Sequence, residues 1–377
     1  MIIGIDANEA NSSNRVGIGR FALELLRQFY LLRKEKSFRN IKFYLYLKEQ
    51  PGSDLPEASN GWQYLVFGPK LFWTQLALPW QLYSQKVPLD VFFSTSHYGP
   101  RFSPVATVVS VMDLSFLYFP ETFLKRDLWQ LKNWTNYSVK KAAKVITISQ
   151  ASKADIMKAY GIRNEKIEVI YPGIDADLFN DRQETAEKTR LRLKYGLDSD
   201  YLLYIGTLQP RKNLKKLFKA LELTVKTKKD LKLVITGKKG WLYQDLFEKR
   251  EAKKLKGKLI FTGFVPDSDL PSLYRQAKAL VLPSLYEGFG IPAVEAMACG
   301  IPVAVSDISS LPEIVGGAAL LFDPYDAAQI SQAINSACYN EKVRQRLIAS
   351  GKKRAAFFSW QKSGWRLLDT LIKTAYA

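Results

Sequence analysis

The apolar positions of this chain switch between two periods from one end to the other. Short β-branched runs stand at 2–7, 41–47, 91–95, 107–111, 144–149 and 166–171 and predict strands. Spacing of three to four residues predicts helices over Arg20–Leu32, Leu128–Lys144 and Ser152–Tyr160. A polar, charged stretch, Asp181–Thr189, carries no strand signal. The alternation then restarts with runs at 201–206, 231–236, 259–263, 279–284, 302–307 and 318–323, and helices fit between most of them. Strands alternating with helices argue for parallel sheets covered on both faces. Two such blocks, parting near 172–198, predict two doubly wound α/β domains with a cleft between. The expected division is 1–175, 176–358 and a closing segment 359–377, in which Trp360–Ala377 reads as one more amphipathic helix.

Composition narrows the class. Of 377 residues, 47% are hydrophobic and 24% charged, which excludes a disordered tail, a collagen and a disulfide-stapled miniprotein. With no run of eighteen apolar residues, no spanning helix is expected. The opening MIIGIDANEA reads as a first strand, not a signal peptide. Cys299 and Cys338 form neither a disulfide framework nor a metal pattern, so a reducing, cytoplasmic setting is expected.

The net charge of +19 is unevenly placed. Residues 1–175 hold 22 Lys/Arg against 15 Asp/Glu, and residues 211–258 hold 17 against 5, so the rest of the chain sums to zero. Such a field attracts nucleotides or anionic headgroups. A solvated, solubilising Lys face accounts for most of these lysines. Without an RNP-type strand or zinc-finger spacing, nucleic acid is not expected as a partner.

The most informative segment is 283–307. A strand ends at Ser284, and a loop follows with Glu287, Gly288, Phe289 and Gly290. Pro292 and Gly300 bracket a short helix in the usual Pro/Gly order. Its N-terminus is an anion site suited to a diphosphate, and the glycines let backbone approach a ligand. Glu287 and Glu295 can accept bonds from sugar and ribose hydroxyls in one pocket. Each residue alone has a bland explanation, a dipole carboxylate or a turn glycine; the combination favours a ligand site.

Four further segments carry candidate chemistry. In YIGTLQPRKNL, Arg211 and Lys212 sit at a predicted helix start, where cations are unfavourable unless an anion is near. A diphosphate clamp answers that, and solvation is the bland alternative. In NRVGIGRFALELL, Gly17 and Gly19 form a glycine loop after the first strand; a tight turn would look the same, and the dinucleotide fingerprint is incomplete. His97, the only histidine, and Asp113 follow strands at the edge where open α/β sheets place ligands. The loops around Gly237–Trp241 and Gly263–Pro266 would set the choice of base.

Taken together, these residues resemble the family 4, or group 1, retaining glycosyltransferases of the GT-B fold, in which two Rossmann-like parallel-sheet domains face each other across a cleft. Glu287 and Glu295 match the family's E-x7-E signature, with GFGIP, ACGIPVAVSD, SSLPEIVGGAALLFDPYD and GFVPDSDLPSLY around it. The resemblance implies transfer of a hexosyl group from a nucleoside diphosphate sugar to a glycan or lipid-linked acceptor, by same-face displacement and without a bound metal or other cofactor. Bacterial envelope-glycan mannosyltransferases are the nearest in character, which favours GDP-mannose as donor. It implies that Glu295 binds ribose, Glu287 the donor sugar, and backbone at Gly288, Phe289 and Gly290 the sugar and phosphates. Arg211 and Lys212 would clamp the diphosphate, Gly17 and Gly19 would close over it, and the last helix would cross back to the first domain.

Two positions depart from the family. Met112 stands where many members carry a histidine before Asp-Leu, and His97 is the candidate substitute. Thr207 stands where many have arginine. Asp113 is the only candidate for a carboxylate nucleophile, should the reaction be a double displacement. The Met112 departure also favours a decayed glycan- or lipid-binding module. A nucleotide-sugar epimerase on the same scaffold would need more acid/base residues, and a phosphorylase a longer chain.

Aromatic and basic residues coincide at 71–83 and 123–134, as in interfacial helices. A core helix with a Lys/Arg outer face explains them slightly better. An anionic membrane surface at the inner face is the further partner this pattern allows.

Overall fold

The computed structural model describes residues 1–13, 15, 17–182, 185–197, 199–238 and 254–377. The chain divides into two units. The first comprises Met1–Tyr118, Leu124–Gly173 and Ser359–Ala377, and the second Phe119–Phe123 and Ile174–Phe358.

The first unit is built on seven strands: β1 (Ile2–Asp6), β2 (Lys42–Leu47), β3 (Trp62–Val66), β4 (Val91–Ser94), β5 (Thr107–Ser110), β6 (Lys144–Thr147) and β7 (Ile167–Val169). All pair in parallel, in the order β3-β2-β1-β4-β5-β6-β7. Its helices are α1 (Gly17–Leu32), α2 (Ala77–Ser84), α3 (Ser115–Tyr118), α4 (Lys125–Lys141) and α5 (Gln150–Tyr160). α1 buries Phe21, Leu25, Phe29 and Leu32, the periodic stripe seen in the sequence.

In the second unit, α6 (Thr185–Tyr195) precedes β8 (Tyr201–Ile205) and α7 (Leu214–Val225). Strands β9 (Lys232–Thr236) and β10 (Leu259–Gly263) follow, then α8 (Leu270–Gln276), β11 (Ala279–Leu282) and α9 (Ile291–Ala298). β12 (Val303–Ser306), α10 (Leu311–Val315), β13 (Leu320–Phe322), α11 (Ala327–Tyr339) and α12 (Glu341–Ala355) complete it. The six strands are parallel, in the order β10-β9-β8-β11-β12-β13. β11 and β12 are buried at every residue, as expected of central strands covered on both faces.

The closing helix α13 (Trp360–Ala375) belongs to the first unit and packs on α1. Trp360 meets Phe21 with ring centroids 5.9 Å apart. Gly364 makes the close approach possible: a Cβ there would lie 2.4 Å from Cβ of Gln28. The chain passes Gly173 hard against this helix start, where a Cβ would fall 2.1 Å from the Trp360 nitrogen. The Ser363 hydroxyl donates to the Tyr171 carbonyl at 2.5 Å.

Each sheet reverses its winding once, between β1 and β4 and between β8 and β11. At such a reversal the loops leaving adjacent strands part and open a crevice at the carboxyl ends. The candidate residues of both units follow these strand ends.

Candidate active site

The loop after β11 carries Glu287 into contact with the turn after β8. Lys212 donates to Glu287 Oε1 at 2.5 Å, and Arg211 Nη1 lies 3.7 Å from Oε2. The Ser284 hydroxyl donates to Oε1 at 2.7 Å. All three charged side chains are mostly buried, with 11–16% of each exposed. Burial alone would raise the Glu287 pKa; Lys212 and Arg211 outweigh it and hold the carboxyl below its usual value.

Arg211 and Lys212 occupy a one-turn 3-10 segment, Pro210–Lys212, ahead of α7 and not in its first turn. The anion that offsets them is a protein carboxylate, which the expectation of a bare diphosphate clamp did not foresee. Two cations against one carboxylate still leave the cluster with one positive charge. Asn213 sets this geometry. It adopts left-handed backbone (φ 58°) and its amide donates to the carbonyls of Pro283 (3.0 Å) and Pro324 (2.8 Å). Arg211 is tied to the same loop, donating to the Tyr286 carbonyl at 2.9 Å, while its own carbonyl accepts from Leu285 N–H at 2.8 Å.

The loop is pinned from below by the start of α10. Ser309 and Ser310 hydroxyls donate to the Glu287 carbonyl at 2.7 and 2.8 Å. Gly290 caps α9 at φ 95°, and a Cβ there would lie 2.6 Å from Leu311 Cδ2, so glycine is required both for conformation and for space. α9 thus begins four residues beyond Glu287, at Ile291. Phe289 is buried against Phe358 with ring centroids 5.2 Å apart, so only its backbone is placed to meet a ligand.

Glu295 lies in the second turn of α9, 4% exposed, and its Oε2 accepts from the Tyr274 hydroxyl at 2.7 Å. The structure therefore joins Glu287 to Arg211 and Lys212, and anchors Glu295 on a separate partner from α8.

Gly237 follows β9 with φ 145°, and a Cβ there would lie 2.1 Å from the Gly206 carbonyl oxygen. Its N–H donates to the Gly263 carbonyl at 2.9 Å. Three glycines thus end three adjacent strands and leave the sheet edge free of side chains. Of the Gly237–Trp241 loop, residues from 239 on lie outside the described residues.

In the first unit, Gly17 and Gly19 are not in a loop: they lie in the first turn of α1. Gly19 is buried, and a Cβ there would meet the Glu9 carbonyl oxygen at 2.8 Å, so it is small to let the β1–α1 connection pass. His97 and Asp113 follow β4 and β5 and interact electrostatically. Burial lowers the His97 pKa, partly countered by Asp113, so the imidazole is neutral at pH 7. Asp113 Oδ1 accepts from Ser115 N–H at 2.8 Å. Met112 is buried.

The sequence reading missed two carboxyls here. Asp6 ends β1, is 5% exposed, and accepts from Asn8 N–H and its side-chain amide at 3.2 and 2.6 Å. Burial raises its pKa despite those bonds, and burial together with Asp6 raises that of Glu9. The available signal was a lone aspartate closing an apolar first strand. Also missed were Asn213, Ser284, Ser309, Ser310 and Tyr274, whose side chains help hold the two glutamates or their loop.

Residues 186–354 match the family model described as glycosyl transferases group 1, and residues 50–178 match that of glycosyltransferase family 4. The chain is 31% identical over 357 residues to the O-antigen chain mannosyltransferase B of Escherichia coli, covering 92% of this chain and 93% of that one. It is a group 1 glycosyltransferase. Among solved structures, the sucrose-phosphate synthase of Thermosynechococcus elongatus superposes with a TM-score of 0.75 at 18% identity, covering 99% of this chain and 98% of that one. Anabaena Alr3699/HepE, solved with UDP-glucose, gives 0.74 at 20% identity and 99% coverage of both. The two parallel-sheet units are the pair of Rossmann-like domains of the GT-B fold.

Proposed function

We propose that this glycosyltransferase moves a mannosyl group from a nucleoside diphosphate donor, GDP-mannose being favoured, to a hydroxyl of a glycan or lipid-linked acceptor. The observation that carries the donor site is the Lys212–Glu287–Arg211 cluster with its residual positive charge. A leaving diphosphate builds negative charge, and a preorganised cation pair beside a helix N-terminus stabilises it without reorganisation. That supply of charge is why the reading needs no metal. Mannose is supported by the similarity to the Escherichia coli O-antigen mannosyltransferase, and a nucleotide sugar by the UDP-glucose complex of the Anabaena protein.

In this reading the ionised Glu287 accepts from donor-sugar hydroxyls, Glu295 from the ribose, and backbone at Gly288, Phe289 and Gly290 approaches the phosphates. Gly237 leaves room at the sheet edge. Gly19 contributes the packing of the α1 start, Gly17 opens that helix, and Asp6 and Glu9, whose pKa values burial raises, offer polar atoms to the acceptor. Transfer retains configuration by same-face displacement, with the departing diphosphate taking the acceptor proton. His97 fills the place that Met112 leaves vacant, and Asp113 orients it. His97→Ala with undiminished turnover would remove it from this role.

The test is a thermal-shift screen against GDP, UDP, ADP, dTDP and their sugar conjugates. Ligand that binds only the folded protein raises its melting point by mass action. A shift with GDP and GDP-mannose, lost in Glu295→Ala, is the expected result. A shift with another base alone would replace the donor assignment. No shift with any nucleotide would favour the second reading, a binding module that has lost catalysis, which the buried Met112 motivates.

A further inference from the structure

The second unit buries a polar group that its own fold does not satisfy. Tyr204 lies on β8, is fully buried, and its hydroxyl has no hydrogen-bond partner among the described residues. Tyr46, Tyr201 and Tyr274 are buried as deeply, and each donates: to Gln85 Oε1 at 2.5 Å, to the Leu273 carbonyl at 2.8 Å and to Glu295 Oε2 at 2.7 Å. A phenylalanine would fill the space of Tyr204 without the cost of stranding a hydroxyl. A second state in which the hydroxyl is paired accounts for the tyrosine.

Its surroundings name the partner. A Cβ on Gly206 would lie 3.0 Å from the Tyr204 hydroxyl and 3.8 Å from Lys212 Cε, so the two side chains converge on one glycine. Lys212 in turn bonds Glu287 Oε1 at 2.5 Å. Glu287 and Arg211 both act on the hydroxyl electrostatically. Burial and the Glu287 charge push the Tyr204 pKa up, so the phenol keeps its proton and meets the carboxylate as a donor. Glu287 Oε2 has Arg211 at 3.7 Å, beyond hydrogen-bonding distance.

A diphosphate in this cluster competes with Glu287 for the lysine. The ammonium is a compact charge on a flexible stem and can turn its protons to phosphate oxygens. Glu287 then keeps Ser284 and a distant Arg211, too little for a buried carboxylate that has to stay ionised. We propose that Tyr204 is a positioning residue for Glu287: as Lys212 turns to the diphosphate, the Tyr204 hydroxyl donates to the Glu287 carboxylate and holds it, still anionic, for the donor-sugar hydroxyls. The exchange belongs to donor binding and precedes transfer. This role rests on the donor reading above. Because the bond forms only in the loaded protein, it counts toward affinity for the diphosphate.

The experiment is a thermal double-mutant cycle with Tyr204→Phe and Lys212→Met, on the full chain without ligand. Tyr204→Phe alone removes an unpaired group and should leave the melting point unchanged or raise it. In Lys212→Met, Glu287 has lost its lysine and the Tyr204 hydroxyl should already be bonded to it. Adding Tyr204→Phe there should lower the melting point by about 2–4 °C. Equal effects of Tyr204→Phe in both backgrounds would overturn the exchange. Calorimetric titration with GDP, UDP, ADP and dTDP then tests whether a ligand drives it. The diphosphate that the parent binds should bind Tyr204→Phe about tenfold more weakly. At pH 6, in buffers of differing ionisation enthalpy, Tyr204→Phe should take up more protons on binding than the parent, because Glu287 without its donor protonates more readily. Equal affinity and equal proton uptake would overturn this role and leave the donor reading intact. A parent that binds none of the four diphosphates would overturn the donor reading, and this role with it.

Discussion

Lys212 and Glu287, 75 positions apart, form a 2.5 Å ion pair at the ends of the two strands where the second sheet reverses its winding. Breaking a mostly buried pair leaves the survivor uncompensated. Glu287→Gln should therefore cost about 3 kcal/mol of stability and reduce transfer at least about a hundredfold. Thermal melting and turnover of the same sample check both. A variant that melts like the parent yet is inactive would place Glu287 in chemistry alone.

Gly237→Ala sets a methyl 2.1 Å from a backbone oxygen of Gly206, and neither backbone is free to retreat. A loss of about 3 kcal/mol is expected from overpacking and backbone strain, with weakened nucleotide binding. Denaturant unfolding and the nucleotide melting shift measure the two effects.

Tyr274→Phe removes the hydroxyl that Glu295 accepts from. The loss of a bond to a buried carboxylate is worth about 2 kcal/mol. If Glu295 holds the ribose, KM for the donor should rise severalfold while kcat changes little. A fall in kcat at unchanged KM would contradict that assignment.

Asp269 gives the fold a defined acid limit. Burial opposes its charge, but Lys194, Arg190 and Tyr195 donate to it at 2.7–2.8 Å and draw its pKa down to about 2. A depressed pKa adds stability above the unfolded value near 4, and that contribution is lost as pH falls toward 2. Asp269→Asn should lower the melting point by a few degrees at pH 7, and parent and variant should converge only as pH falls through about 2. Because Arg190 and Lys194 are half exposed, salt should narrow the gap.

Both cysteines are buried, and burial pushes each thiol up to about 12. Neither Cys299 nor Cys338 should react with iodoacetamide at pH 8 in the native protein, and both should react in urea. Mass spectrometry distinguishes the two states.

The alternation of strands and helices was legible because each parallel strand is an uninterrupted apolar run, as in VVSV and VAVS. β3 escaped notice: Trp62–Val66 is an edge strand whose Gln63 and Val66 face solvent, so its pattern is too weak to stand out. The E-x7-E segment marked the Glu287–Gly290 loop and the start of α9 because Pro, Gly and Glu positions there are fixed by local geometry. The pairing of Glu287 with Lys212 was not legible, since it depends on two strands 75 positions apart becoming neighbours. Gly17 and Gly19 show the opposite failure: a glycine pair suggested a loop, while both lie in the first turn of α1 and only Gly19 packs against the Glu9 carbonyl.

The return of the last helix to the first unit also fixes an order of manufacture. Phe21 and Gln28 on α1 are made early, but the helix that covers them emerges only after residues 174–358. At about 5–20 residues per second, α1 waits roughly 17–70 s for its cover. The second unit is contiguous from Ile174 to Phe358 apart from one short piece already made, so it can finish while the first is still open. The half of the enzyme that begins first is completed last.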